Sequence, residues 1–211
     1  MHKTCLTIDW GYKPYLEALE LQKSMVEARR SEQIEDTLIF TEHEPVYTLG
    51  SRKDAFNNLK VSKETLDKNQ ISIYKTNRGG DITFHGPGQL VIYPILKLKN
   101  KDLHNYLRLL EETIISVLKT YDLEASTREG KTGIWINDRK ICAIGIAVRS
   151  WITYHGIALN LNTDLSYFDW IVPCGISDGT VTSLENEGIQ EIDKNNLKKR
   201  FLVEFGKFFY D

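Results

Sequence analysis

Between residues 78 and 94 the chain reads Arg78-Gly79-Gly80-Asp81-Ile82-Thr83-Phe84-His85-Gly86-Pro87-Gly88-Gln89-Leu90-Val91-Ile92-Tyr93-Pro94. Four glycines and a proline fall in its first eleven residues, which excludes a helix and weakens any strand interior. Leu90-Val91-Ile92-Tyr93 is short, apolar and β-branched, so it reads as a buried strand, and residues 71–76 read as another just upstream. Arg78 and His85 are therefore expected on a turn-rich loop between two strands, where a backbone that contacts a ligand belongs.

The remaining elements follow from periodicity. Residues 4–10 read as a first strand, Gly11 as the junction, and residues 12–30 as a helix with Tyr12, Tyr15, Leu16, Leu19 and Val26 in one stripe. Short strands are expected at 37–41 and 46–50, and a short helix at 62–68 with Ser62 as N-cap. The clearest helix is 102–121, where Leu103, Tyr106, Leu107, Leu110, Ile114, Val117, Leu118 and Tyr121 recur at steps of three and four, leaving His104 solvated. Three strands are then expected at 133–136, 140–148 and 153–161, followed by a short amphipathic piece at 164–171. A last helix at 193–210 points Leu197, Phe201, Phe205 and Phe208 inward. This is an α+β (α/β) order, a mainly antiparallel sheet covered by helices. No repeat or linker divides it, so residues 1–211 read as one domain, the stretch from about 177 onward being the single candidate for a small lobe.

Composition narrows the function. A formal net charge of −2 supplies no basic footprint for nucleic acid. No apolar run is long enough to span a bilayer, and the first ten residues lack the apolar stretch of a secretory signal, so a cytoplasmic protein is expected. Three cysteines without a close pair argue against a disulfide framework or a CxxC metal site.

Several side chains are able to do chemistry. Cys174, between Pro173 and Gly175, is either a small buried hydrophobe or, with a lowered pKa, a nucleophile. Lys140 opens an apolar strand and is either a solvated end-marker or an ammonium that stabilises a thiolate and relays protons. Taken alone, both residues favour the first alternative. Cys5 and Cys142 sit in apolar strand patterns. His85 and His155 each neighbour a glycine and have no clustered ligands, so no metal site is expected. His43, between two glutamates, reads as a loop residue with local hydrogen bonds. Gly130-Lys131-Thr132 mimics the end of a P-loop, but Ala125 stands where that motif needs glycine.

The blocks become specific when taken together. Glu42-His43-Glu44-Pro45-Val46-Tyr47-Thr48-Leu49-Gly50, the 78–94 run, Gly133-Ile134-Trp135, Lys140-Ile141-Cys142-Ala143-Ile144-Gly145, His155-Gly156-Ile157-Ala158-Leu159-Asn160, Pro173-Cys174-Gly175-Ile176 and Thr182-Ser183-Leu184 appear in one order. In this the chain resembles the lipoyl(octanoyl) transferases over nearly its whole length. The resemblance implies a fold shared with biotin and lipoate protein ligases. It also implies transfer of an octanoyl group from octanoyl-acyl carrier protein to a lysine of lipoyl domains, those of 2-oxoacid dehydrogenase complexes and of the glycine cleavage H protein. Cys174 matches the residue that carries the acyl thioester, and Lys140 the one that lowers its pKa. Arg78, Gly79, Gly80, Asp81, Ile82, Thr83, Phe84, His85, Ala143, Ile144, Gly145, Gly156, Ile157 and Ala158 match segments that line the acyl pocket. No cofactor, nucleotide or metal is implied, because a thioester is already activated. With this resemblance, the functional alternatives for Cys174 and Lys140 are preferred.

Two other readings remain for test. An ATP-dependent lipoate or biotin ligase of the same fold would need no cysteine at 174. A silent acyl-carrier-binding module would tolerate Cys174→Ser. Docking of an acidic carrier is expected to use basic residues near the cleft, with Arg78, Arg149 and Lys131 as candidates.

Overall fold

The apolar run after the glycine-rich loop becomes β6 (Gln89–Ile95), buried along its whole length. In this computed structural model, which describes residues 5–172 and 179–210, β6 is flanked antiparallel by β2 (Thr37–Glu42) and β10 (Ile152–Asn160). Beyond β10 lie β9 (Arg139–Arg149), β8 (Lys131–Ile136) and β7 (Ser126–Arg128), while β1 (Leu6–Tyr12) joins β2 in parallel. A two-residue β11 (Thr180–Val181) pairs with the start of β9. The sheet is mainly antiparallel, as the sequence predicts.

Its two faces follow from alternation, since successive side chains of a strand point to opposite sides. Leu90 and Ile92 face α3 (Leu103–Lys119) and α4 (Lys194–Phe209), sharing a core with Leu110, Ile114, Val117, Leu197, Phe201 and Phe205. Val91 and Tyr93 face the other way, with Ala18 and Val26 of α1 (Tyr15–Arg30) and Ile39 of β2. The stripe on α3 is thus the largest single apolar contribution to one layer, each fully buried Leu or Ile contributing roughly 1.5–3 kcal/mol. Asp102 caps α3 by accepting from Asn105 N at 2.9 Å. α4 packs into the same core as α3.

A second sheet departs from the single sheet expected from the sequence. β3 (Val46–Leu49), β4 (Ser72–Lys75) and β5 (Thr83–His85) form a three-stranded sheet in the order β4-β3-β5. It has its own core of Tyr47, Ile71, Ile82, Phe84, Phe168 and Ile171. The glycine-rich run therefore bridges two sheets, and His85 lies on a strand instead of a loop.

Smaller expectations also change. Gly11 lies inside β1, at φ 59° and at a shift in the β1–β2 register, so it forms a bulge rather than the helix junction, which falls at Pro14. On α4 it is Phe209 that stacks on Phe205, with ring centroids 4.0 Å apart, because a four-residue step reaches 209 and leaves Phe208 half-buried. Leu103 starts α3 at the surface, 37% exposed, and is not among the buried core residues. His43 is fully buried and bonded to distant partners: Nδ1 is 2.6 Å from the Lys13 carbonyl and Nε2 2.7 Å from Tyr93 Oη. Among the described residues no helix is long and apolar enough to cross a membrane.

Candidate active site

Small residues on neighbouring strands open a groove. Ala143 of β9 pairs with Ala158 of β10, and Gly145 with Gly156, in alternate registers and so on one sheet face. Any larger side chain here would meet backbone: a Cβ on Gly156 would lie 2.2 Å from Ile92 O, and one on Gly145 would lie 3.0 Å from Gly79 O. The glycine-rich run crosses above this face, and Gly79 N donates to Ile146 O at 2.8 Å. Between run and sheet lies a cavity of about 570 Å³, within the range of roughly 300–1,000 Å³ typical of small-molecule sites.

Of the residues expected from sequence, thirteen line this cavity: Arg78, Gly79, Gly80, Asp81, Thr83, His85, Lys140, Ala143, Ile144, Gly145, Gly156, Ile157 and Ala158. Ile82 and Phe84 do not. They alternate with Thr83 and His85 along the strand and point into the core of the small sheet. Cys174 and its neighbours Pro173, Gly175 and Ile176 lie outside the described residues. On either side of them, Val172 N donates to Asn58 O at 2.7 Å, and β11 pairs Thr180 with Arg139 and Val181 with Lys140.

Lys140 is no solvated end-marker. It is 6% exposed, its ammonium donates to Thr132 O at 3.0 Å, and it sits 4.9 Å from the centroid of the Trp135 ring. Its room comes from Gly133, where a Cβ would fall 2.5 Å from Lys140 Cε and 2.6 Å from Cys142 O. Gly133 also takes φ 131°, outside the range of ordinary side chains. The β8–β9 register slips next to it, between Ile134 and Trp135, so a bulge and a glycine together make the space that the long side chain fills.

Arg78 is architectural. Its Nη2 donates to Thr48 O and to Asp81 O, both at 2.7 Å, and Nη1 to Gly79 O at 3.1 Å, so the guanidinium ties the glycine-rich run to β3. At 7% exposure it offers no surface to a carrier protein. Arg149 ion-pairs with Glu27 at 3.2 Å, and of the three basic candidates Lys131 and Arg78 border the cavity. Asp81 is buried too and holds Asn58 Nδ2 at 2.7 Å.

Sequence reasoning missed the aromatic end of the cavity. Tyr15, Tyr93 and His155 line it together with His85, and Tyr15 stacks on the His85 ring with centroids 5.9 Å apart. Tyr15 was visible only as one position of a helix stripe, and Tyr93 only as a strand residue. Burial pushes the imidazole pKa values down, to about 3 for His85 and His155 and to about 4 for His43, and the Arg78 guanidinium adds to the effect on the first two. All three rings are neutral near pH 7. Burial raises Cys142 to about 12, so this thiol is an inert core group. No group of three His, Cys, Asp or Glu side chains among the described residues is arranged to hold a metal ion.

Comparison with known proteins places these features. Residues 14–206 match the family model for the lipoyl protein ligase A/B catalytic domain. An octanoyltransferase of Rubrobacter xylanophilus is 50% identical over 196 residues, covering 92% of this chain and 89% of that protein. Among solved structures, lipoate-protein ligase A bound with ATP superposes with a TM-score of 0.80 at 16% identity, over 98% of this chain and 85% of that one. Biotin protein ligase from Aquifex aeolicus in complex with biotin and ATP gives 0.59 at 12% identity, over 98% and 70%. At such identities these two carry the fold alone, which is the ligase-like fold expected from the sequence.

Proposed function

The chain belongs to the lipoyl protein ligase A/B catalytic-domain family, and we propose that it works through a cysteine thioester, needing no ATP. It is an acyltransferase that moves an octanoyl group in protein lipoylation, as the octanoyltransferase relatives indicate. It takes the group from an acyl donor and delivers it to a lipoyl domain. The donor is octanoyl-acyl carrier protein, and the acceptors are the lipoyl domains of 2-oxoacid dehydrogenases and the glycine cleavage H protein, all in the cytoplasm.

In the first half-reaction the Cys174 thiolate attacks the donor's thioester carbonyl. The tetrahedral intermediate collapses, the carrier's thiolate leaves and takes a proton, and octanoyl remains on sulfur. In the second, the acceptor lysine amine attacks that carbonyl, an amide forms, and the Cys174 thiolate is released. A thiolate suits both steps because it attacks and leaves at nearly matched energy. Lys140 stabilises it as a cation, gives its proton to the departing carrier thiolate in the first half-reaction, and as the resulting neutral amine takes up the acceptor amine's proton in the second. The acyl chain lies along Ala143, Gly145, Gly156 and Ala158.

One observation carries this reading: a buried ammonium at the rim of a small-residue groove, on the strand that Val181 rejoins seven residues after Cys174. The test is octanoylation of an apo lipoyl domain from octanoyl-acyl carrier protein with ATP withheld. Transfer is expected, with Cys174→Ser abolishing it and Lys140→Ala slowing it on the order of 10²–10⁴-fold. Dependence on ATP and free octanoate would instead make the protein a ligase.

A further inference from the structure

A single file of hydrogen bonds runs through the protein beneath the cavity. Arg78 Nε and Nη2 donate to Thr48 Oγ1 at 3.2 and 3.0 Å. Thr48 Oγ1 meets His85 Nε2 at 3.4 Å, the longest link, and His85 Nδ1 meets Gln89 Oε1 at 2.7 Å. Gln89 Nε2 donates to Asn160 Oδ1 at 2.9 Å, and Asn160 Nδ2 donates to Thr182 O at 2.9 Å. All six residues are buried.

The direction of every link is forced. Arginine only donates, so the Thr48 hydroxyl accepts from it and keeps its own hydrogen for His85. At the other end, Thr182 O is a carbonyl and only accepts, so the Asn160 atom facing it is NH2 and its oxygen faces Gln89. Gln89 Nε2 also reaches Phe84 O at 3.2 Å, which fixes that group as the NH2 and turns the Gln89 oxygen toward His85. His85 must therefore carry its hydrogen on Nδ1 and receive at Nε2. Burial, which keeps that ring neutral, agrees with this.

The file ends beside Lys140. Thr182 N donates to Lys140 O at 2.9 Å, and Leu184 N donates to Asn160 O at 3.0 Å. The residue whose carbonyl closes the file is thus the one whose N–H is pinned to the Lys140 carbonyl, while the file's origin is the guanidinium that shapes the glycine-rich wall of the groove.

We propose that Gln89 and Asn160 are positioning residues, which through a one-way hydrogen-bond chain from Arg78 to the Thr182 carbonyl hold Lys140 in register with the acyl groove. This rests on the transfer reading given above. Asn160→Asp and Gln89→Glu each replace a donor with an acceptor at one link while nearly keeping shape, and a half-satisfied buried file is costly.

Two measurements test it. The first is the imidazole nitrogen NMR spectrum of His85 in the unaltered protein, which needs neither a variant nor activity. A neutral ring protonated at Nδ1 near pH 7 is expected, and a ring protonated at Nε2, or at both nitrogens, overturns the chain. The second is octanoyl transfer by folded Asn160→Asp and Gln89→Glu. A fall in kcat of about ten- to hundredfold is expected, with KM for the octanoyl donor held and the pH profile of Cys174 alkylation moved. An unmoved kcat and alkylation profile in folded variants overturns the coupling to Lys140. An unaltered protein that transfers no octanoyl group overturns the transfer reading alone, and the His85 spectrum still decides the chain.

Discussion

At the scale of single residues, the site depends on space as much as on charge. Gly133 exists so that the Lys140 side chain can lie flat against β8 and reach Thr132 O. Gly133→Ala should slow octanoyl transfer at least tenfold and also lower stability, because the methyl group would claim the volume of the lysine stem, press on the Cys142 carbonyl and sit at a φ that side chains rarely adopt. Kinetics alongside circular dichroism check this, and a variant with unchanged kcat would remove Gly133 from the account. The groove gives the complementary case. Ala143 and Ala158 face each other across β9 and β10, so Ala143→Val should shift preference toward shorter acyl donors, read as kcat/KM for butyryl against octanoyl carrier protein. The residues around the groove were legible because glycines and alanines at strand positions have few uses other than close approach. The burial of Lys140 and His43 was not. Nothing in a lysine beside apolar residues says that it folds back on Thr132, and nothing in a histidine between two glutamates says that its partners come from Lys13 and Tyr93.

At the scale of elements, long periodic segments declared themselves and short ones did not. The α3 stripe puts Leu110 and Ile114 fully inside, so Leu110→Ala should cost about 2–5 kcal/mol in urea unfolding. Asp102→Ala, which removes only the cap, should cost about 1 kcal/mol, and equal losses would contradict this division between packing and capping. β5 is three residues long and lies inside a glycine-rich run, and β11 is two long, so neither offers a period to read. Gly11 was misplaced for a related reason: a bulge and a helix junction look alike when the only signal is a glycine. The second sheet was hidden because pairing partners, unlike alternation, are set by tertiary contacts.

At the scale of the whole molecule, the family and the fold were readable because the diagnostic blocks lie in order along the chain, whereas the neutral histidine cluster required three dimensions. That cluster makes a prediction for stability. His43, His85 and His155 titrate at about 4, 3 and 3 when folded, against about 6.5 when unfolded. Between those values the unfolded chain binds more protons, so stability is full above about pH 6.5 and falls as pH drops through the window. Urea midpoints should decline from about pH 7.5 to about pH 5, and His43→Gln should flatten that decline. A slope untouched by the substitution would mean that His43 is charged in the folded protein.

If the octanoyl group rests on Cys174 between donor and acceptor, intact-protein mass spectrometry after mixing the protein with octanoyl-acyl carrier protein, in the absence of ATP, will register it. One added octanoyl group is predicted, absent in Cys174→Ser and lost on addition of apo lipoyl domain. Transfer to the lipoyl domain without any such adduct, even under rapid quenching, or an adduct that survives Cys174→Ser, would contradict it.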